Sequence, residues 1–428
     1  MTVNAFGLLL SVANLACIGI LSYLGLSYTY TVPILISLLI NFLVVVRTDY
    51  LHPVFAYCAT WLVVSFFAVS EISRYSRPLG NVAASYLVYG IALALAIGSF
   101  RPRTDRKPTT RHVLSIPRLE LTLSYATLIY LCVTTIEIAV SGYIPLLQGL
   151  SGGGTDYLDF GIRSVHGLAN AMGCAIFTAS VYGYVVSKRR SFLYMAGLIF
   201  LCFILLVTRQ NVITLTMQSI VIYFLYAGRA RIYKIVILAC CGLTLFSVAG
   251  ELRSGDITEL AGIKEEYKWI PTPSVWLYAY SYFTVLNFDN TISQPQAPFF
   301  DGSSLSTIIP SQFRPKSTSE KILEVSNFNV SGFYTSAATD GGFFEVTFLL
   351  VFFLFLTQNL YFSARTEFTF FKTCTFATLY FCALFAFFVN FWLYLPVVFQ
   401  IFFFWIFSRS CSYTVPASPR PDLANGGT

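Results

Sequence analysis

Apolar runs of about twenty residues, one after another, decide what this chain can fold into. A helix rises about 1.5 Å per residue, so a run of that length matches the roughly 30 Å hydrocarbon layer of a bilayer. Inside lipid every backbone N–H and C=O must find its partner within the segment, which favours helices. Twelve such runs can be read, at about 5–25, 29–46, 53–70, 82–100, 120–140, 168–187, 191–208, 211–228, 232–250, 336–360, 370–389 and 391–408. Hydrophobic residues make up 56% of the chain and charged residues 11%, less than half the roughly 25% charged share of a soluble domain. The expectation is an all-α polytopic membrane protein of about twelve transmembrane helices, a single integral domain over residues 1–428. The first residues lack a basic stretch and lead directly into a full run, so a cleavable signal peptide is not expected.

Lysine and arginine orient the runs. Arg101, Arg103, Arg106, Lys107, Arg111 and Arg118 face only Asp105 between the fourth and fifth runs, which makes that stretch cytoplasmic. Lys188–Arg190, then Arg229, Arg231 and Lys234, then Arg365 and Lys372, then Arg409 keep the alternation, and Arg47 fits it backwards. Both termini then lie inside. The +7 net charge belongs to these short loops and signals topology; no nucleic-acid partner is expected. Cysteines sit almost entirely in apolar runs, with no CxxC and no Cys/His cluster, so they read as small apolar fillers. No metal and no cofactor are expected.

Two outer segments are long enough to build a site: 141–167, with Gly152, Gly153 and Gly154, and 251–333, which opens on Glu251-Leu252-Arg253-Ser254-Gly255-Asp256. The second contains an aromatic stretch from Ser274 to Phe288, too short to cross a membrane, which is expected to lie at the interface or to dip in and return. Pro295, Pro298, Pro310 and Pro315 then favour irregular chain over a folded unit. The tail 409–428 is expected to be cytoplasmic and disordered.

Four arginines stand out on the outer side, where topology does not require them: Arg163, Arg209, Arg253 and Arg314. Guanidinium stays charged and pairs bidentately with phosphate oxygens, so arginines gathered at an outer face suit a lipid-linked pyrophosphate. Arg209 lies in a tight turn between two apolar runs, a placement that is functional by default. Arg314 reads equally as a solvated charge, and Arg253 as a local partner of Glu251 or Asp256. His166 is the outer-side histidine and fits either acid/base work or a surface role. Glu137, deep in the fifth run, must be paired or protonated; an arginine is its expected partner. Asp340, followed by Gly341 and Gly342, reads as a helix cap or as a base that activates an acceptor. Tyr278, Tyr280, Tyr282, Trp269 and Trp276 read either as sugar-stacking groups on a lid or as an interfacial belt.

The stretch Glu137 … Gly142-Tyr143-Ile144-Pro145-Leu146-Leu147 resembles the E…G-x-I-P-L-L segment of bacterial O-antigen and related oligosaccharide repeat-unit polymerases. Arg163 before a glycine-containing run, Thr208-Arg209 where that family often has Ser-Arg, Gly250-Glu251-Leu252-Arg253 and Thr339-Asp340-Gly341-Gly342 follow in order. The resemblance covers about residues 130–345. It implies a metal-independent glycosyltransferase of the inner membrane that joins undecaprenyl-pyrophosphate-linked repeat units at the periplasmic face. Chain-length regulators and flippases commonly accompany such enzymes. Carried over, Arg163, Arg209 and Arg253, with Arg314 as a further candidate, would bind pyrophosphate, and His166, Asp256 and Asp340 are the candidate bases. O-antigen ligase and a flippase or transporter are the competing readings. A long outer loop without histidine disfavours the first, and dissimilar halves disfavour the second.

Overall fold

The computed structural model describes residues 2–23, 31–46, 49–101, 110–151, 160–228, 255–294, 300, 302–310, 312–314 and 322–416, together with scattered helical positions between 233 and 251. The helices run α1 Ala5–Tyr23, α2 Thr31–Val46, α3 Pro53–Val69, α4 Asn81–Gly98, α5 Ile116–Ser141, α6 Pro145–Leu150, α7 Val165–Ser187, α8 Arg190–Leu205 and α9 Arg209–Ala227. They continue with α10 Ile257–Leu260, α11 Thr272–Ile292, α12 Gly332–Glu367, α13 Phe370–Leu384 and α14 Leu395–Cys411. Four strands, β1 Thr2–Val3, β2 Phe100–Arg101, β3 Thr110–Leu114 and β4 Ser412–Pro416, form two antiparallel pairs. Every apolar run except 232–250, most of which lies outside the described residues, contains one of these helices. Among the described residues four stretches are long and apolar enough to cross a bilayer: Asn81–Gly98, Ile116–Gly149, Val165–Ser187 and Gly332–Glu367.

Two groups of helices make the bundle. In one, α4 packs on α1, α2, α3 and α12; in the other, α7 packs on α5, α8, α9 and α14. Helix α13 joins them, touching α3 and α12 on one side and α7, α9 and α14 on the other. A single apolar core runs through both groups, while α5 turns Leu121, Leu128, Ile136 and Val140 outward. Lipid is as apolar as leucine, so polar contacts add to packing in holding helices together. Gln218 on α9 and Gln400 on α14 exchange amide hydrogen bonds of 3.3 and 2.8 Å, and the Thr178 hydroxyl of α7 donates to the same Gln218 oxygen. Asn41 on α2 donates to Ser11 on α1 at 2.8 Å.

At one end of the bundle β1 pairs with β2, and β3 pairs with β4. The first residues of the chain therefore pair with Phe100–Arg101, and the chain after α14 pairs with Thr110–Leu114. The expectation of a disordered tail is corrected over Ser412–Pro416, whose backbone groups are paired with Thr110–Leu114; residues 417–428 lie outside the described residues. Asp49 accepts from the Tyr361 hydroxyl and, at 3.1 Å, from Arg365.

The other end holds the long segment between α9 and α12, and much of it is folded. Ile257, Ile263, Trp276, Tyr282, Phe283 and Phe328 belong to a second, smaller apolar core; in the proline-bearing stretch, Pro310 follows a short 3-10 turn at Ser304–Ile308, and Pro295, Pro298 and Pro315 lie outside the described residues. The aromatic stretch forms α11, 21 residues long. Both halves of α11 are tied to the turn 71–80: Tyr282 donates to the Tyr75 carbonyl at 3.0 Å, and Asp289 accepts from the Gly80 N–H at 3.0 Å. The helix also packs on α3, α4 and α12, and its Val285 and Phe288 enter the main apolar core. Its aromatic groups are not presented as a lid. Trp276, Tyr278 and Tyr282 are buried and Tyr278 stacks on Tyr282; Trp269, before the helix, is exposed. Burial pushes the phenol pKa of Tyr278 and Tyr282 up, so both remain hydrogen-bond donors.

Candidate functional site

Helix α5 ends at Ser141, and Gly142 closes it in the left-handed region at φ 79°. One turn before that end Glu137 points into the protein, 1% exposed. The chain returning from 160 lies across it. Gly161 N–H donates to Ser141 Oγ at 2.9 Å, Ile162 N–H donates to Glu137 Oε1 at 3.3 Å, and His166 Nδ1 meets Glu137 Oε2 at 3.1 Å. The partner of Glu137 is thus His166, not the expected arginine. Gly161 makes the approach possible: its φ is 87°, and a Cβ there would stand 2.9 Å from His166 Nδ1 and 3.1 Å from Glu137 Oε1. Phe160, itself buried, sets its ring edge-on to the imidazole at 5.5 Å. The opposite nitrogen, Nε2, is buried and has no hydrogen-bond partner among the described residues.

Arg163 stands in the same turn, exposed, three residues before His166. Ser164, which follows, is a non-glycine residue at φ 67°. Val207, two residues before Arg209, is at φ 54°, which is unfavourable for a β-branched side chain. Backbone strain of this kind persists where surrounding structure holds it, and functional sites are where it concentrates. Arg209 is the first residue of α9. Short links join α7 to α8 and α8 to α9, so α7 and α9 run parallel and begin on the same face. Helix N-termini carry partial positive charge, and here each begins at or beside an arginine.

Part of the long segment folds down onto this face. Asp340 on α12, 4% exposed, accepts from the N–H groups of Gly302 and Ser304 at 2.9 and 3.1 Å, and its carbonyl accepts from Phe300 N–H at 2.9 Å. The Thr307 hydroxyl donates to the Leu393 carbonyl before α14. Gln312 then reaches the histidine turn, its Nε2 donating to the Arg163 carbonyl at 3.3 Å and its N–H to Ser164 Oγ at 3.5 Å. Arg314, two residues on, is exposed and donates to the Ile309 carbonyl at 3.3 Å. The described residues of 300–314 thus form a strap whose Gln312 touches the Arg163–Ser164 turn, with Arg314 two residues further along the chain. Just beyond Asp340 the long helix α12 breaks at Gly342, whose φ of 61° and ψ of −145° are not helical, so the strap is anchored at a bend.

The predicted site residues therefore separate. Glu137, His166 and Arg163 lie together at the turn across the end of α5, Arg314 follows the Gln312 that touches this turn, and Asp340 anchors the strap through Gly302 and Ser304. Asp256 is exposed and caps α10 by accepting from Thr258 N–H at 2.7 Å. Arg253 lies outside the described residues, as does the side chain of Arg209. Asp289 and Arg77 were not among the expected site residues. Arg77 lies in the outer turn 71–80 and pairs with the buried Asp289 at 3.0 Å. Its placement outside is the same signal that singled out Arg209. Among the described residues no group of His, Cys, Asp and Glu is arranged to hold a metal.

A bundle with long apolar helices, an outward apolar surface and buried interhelical polar contacts is a helical membrane protein. Comparison with protein-family models, with curated proteins and with solved structures finds no match for the chain.

Proposed function

We propose that this protein is a bacterial inner-membrane polymerase that joins undecaprenyl-pyrophosphate-linked oligosaccharide repeat units at the periplasmic face and releases undecaprenyl pyrophosphate. The observation that supports it best is the contact of Gln312 with the Arg163–Ser164 turn, which joins the segment carrying Arg314 to the turn carrying Arg163 and His166. In this reading the chain crosses the membrane twelve times with both termini cytoplasmic, and that turn lies outside.

In this reading Arg163 and Arg314, with Arg209 and Arg253, hold the pyrophosphate of the donor and stabilise the charge that develops as it leaves. Fixed cations in a site of lowered dielectric act on the departing group more strongly than water does. The hydroxyl at the non-reducing end of the next unit attacks the anomeric carbon. The new glycosidic bond forms while the bond to pyrophosphate breaks, its electron pair going to the phosphate oxygen. Polyprenyl chains reach the site from the lipid. A chain-length regulator and a flippase are the expected partners.

A gel of surface polysaccharide from a strain lacking the gene, complemented with wild type or Arg163→Ala, tests this. A single repeat unit on core in the deletion, with a ladder restored by wild type alone, supports polymerisation. Bare core with single units accumulating on carrier at the outer face would mean ligation. Accumulation at the inner face would mean a flippase.

A further inference from the structure

We infer that Glu137 and His166 form a proton-accepting dyad, in which His166 Nε2 takes the proton of the incoming sugar hydroxyl and Glu137 is the positioning residue. The inference rests on the polymerase reading and assigns the base that reading leaves open among His166, Asp256 and Asp340. Both carboxylate oxygens of Asp340 are occupied by strap N–H groups, and Asp256 is engaged as a cap at an exposed turn. His166 differs from both, since one of its nitrogens is held and the other is not.

An ionised carboxylate only accepts hydrogen bonds. Glu137 Oε2 at 3.1 Å from Nδ1 therefore keeps the imidazole proton on Nδ1, and the lone pair is left on Nε2. Ile162 N–H on Oε1 fixes the carboxylate plane, and Phe160 at the ring edge limits rotation of the imidazole. Base, orienting group and adjacent arginine are the parts a hydroxyl nucleophile needs. As the acceptor oxygen bonds to the anomeric carbon, its proton passes to Nε2. The imidazolium that forms is stabilised by the buried Glu137, and the proton leaves to solvent once pyrophosphate has departed.

The chain has three histidines, His52, His112 and His166, so 15N-histidine labelling of the full-length protein in nanodiscs gives a spectrum that His166→Gln assigns by difference. The wild type is expected to show His166 protonated on Nδ1 with Nε2 bare, and Glu137→Gln to shift population toward the Nε2–H tautomer. Wild-type His166 protonated on Nε2 would overturn the dyad. In parallel, steady-state polymerisation of a synthetic undecaprenyl-pyrophosphate-linked repeat unit is measured. His166→Ala and His166→Gln are each expected to lower kcat by about 100-fold or more, within the usual range for loss of a general base, with the donor KM within a few-fold of wild type. Glu137→Gln should lower kcat by a smaller factor. If both histidine variants retain kcat to within a few-fold while wild type polymerises, the dyad falls and the polymerase reading stands. If wild type makes no polymer, the reading fails and this inference with it.

Discussion

Arg77 Nη1 lies 3.0 Å from Asp289 Oδ2, joining the turn between α3 and α4 to the last turn of α11. Asp289 is 2% exposed and also accepts from Gly80 N–H, while Arg77 reaches Asn290 with its second nitrogen. Two segments more than two hundred residues apart in sequence are thereby held in register on the outer face.

Removing the buried partner should cost more than removing the exposed one. Asp289→Ala leaves the Gly80 N–H and the guanidinium without their acceptor, and hydrogen bonds involving a charged group are worth roughly 1.5–3 kcal/mol each. Arg77 is partly in water, which keeps the ion-pair share small. We expect Asp289→Ala to destabilise by about 2–3 kcal/mol and Arg77→Ala by less, read as thermal melting of the detergent-purified protein.

Asp340 should act through the strap rather than on substrate. Asp340→Ala frees the Gly302 and Ser304 N–H groups, so hydrogen exchange over 302–308 should rise while that of the α7–α9 helices stays unchanged. Polymer ladders should shorten or disappear. Unchanged exchange over 302–308 would remove the anchoring role.

Gly161→Ala should disturb the histidine turn while the bundle still forms. The substitution places a Cβ 2.9 Å from His166 Nδ1 at a φ of 87°. Complementation should fail to restore the ladder, with protein levels in the membrane close to wild type. A ladder of normal length would show that the turn tolerates displacement of the imidazole.

The Gln218–Gln400 pair should behave as a unit. Either glutamine replaced by leucine strands the other's amide among α7, α9 and α14, and interhelical hydrogen bonds in membranes average about 0.6 kcal/mol with a maximum near 1.7. The double replacement should therefore lose less melting stability than the sum of the singles. Strict additivity would show that the two side chains do not depend on each other.

The apolar runs, the sidedness of their basic loops and the places where two runs meet on the outer side could all be read along the chain, because membrane thickness and backbone satisfaction act on contiguous segments. So could Arg163, His166 and Glu137 as residues out of place in apolar or outer surroundings. Their pairing could not. Glu137 and His166 lie 29 positions apart, and an arginine was as reasonable a partner until the 160–162 turn folded across the end of α5. Nor could sequence separate the roles of Asp256 and Asp340, since cap and strap anchor differ only in which N–H groups each carboxylate meets. Proline content pointed to irregular chain over 295–315, and nothing announced that Phe283 and Phe328 on either side of it stack at 4.5 Å, because pairing of distant aromatic rings leaves no local signature. Residue order alone was enough to define a helical membrane bundle, because span length and backbone pairing are set within each apolar run. The tertiary structure alone decided which charges meet there, because that depends on contacts between segments far apart in the chain.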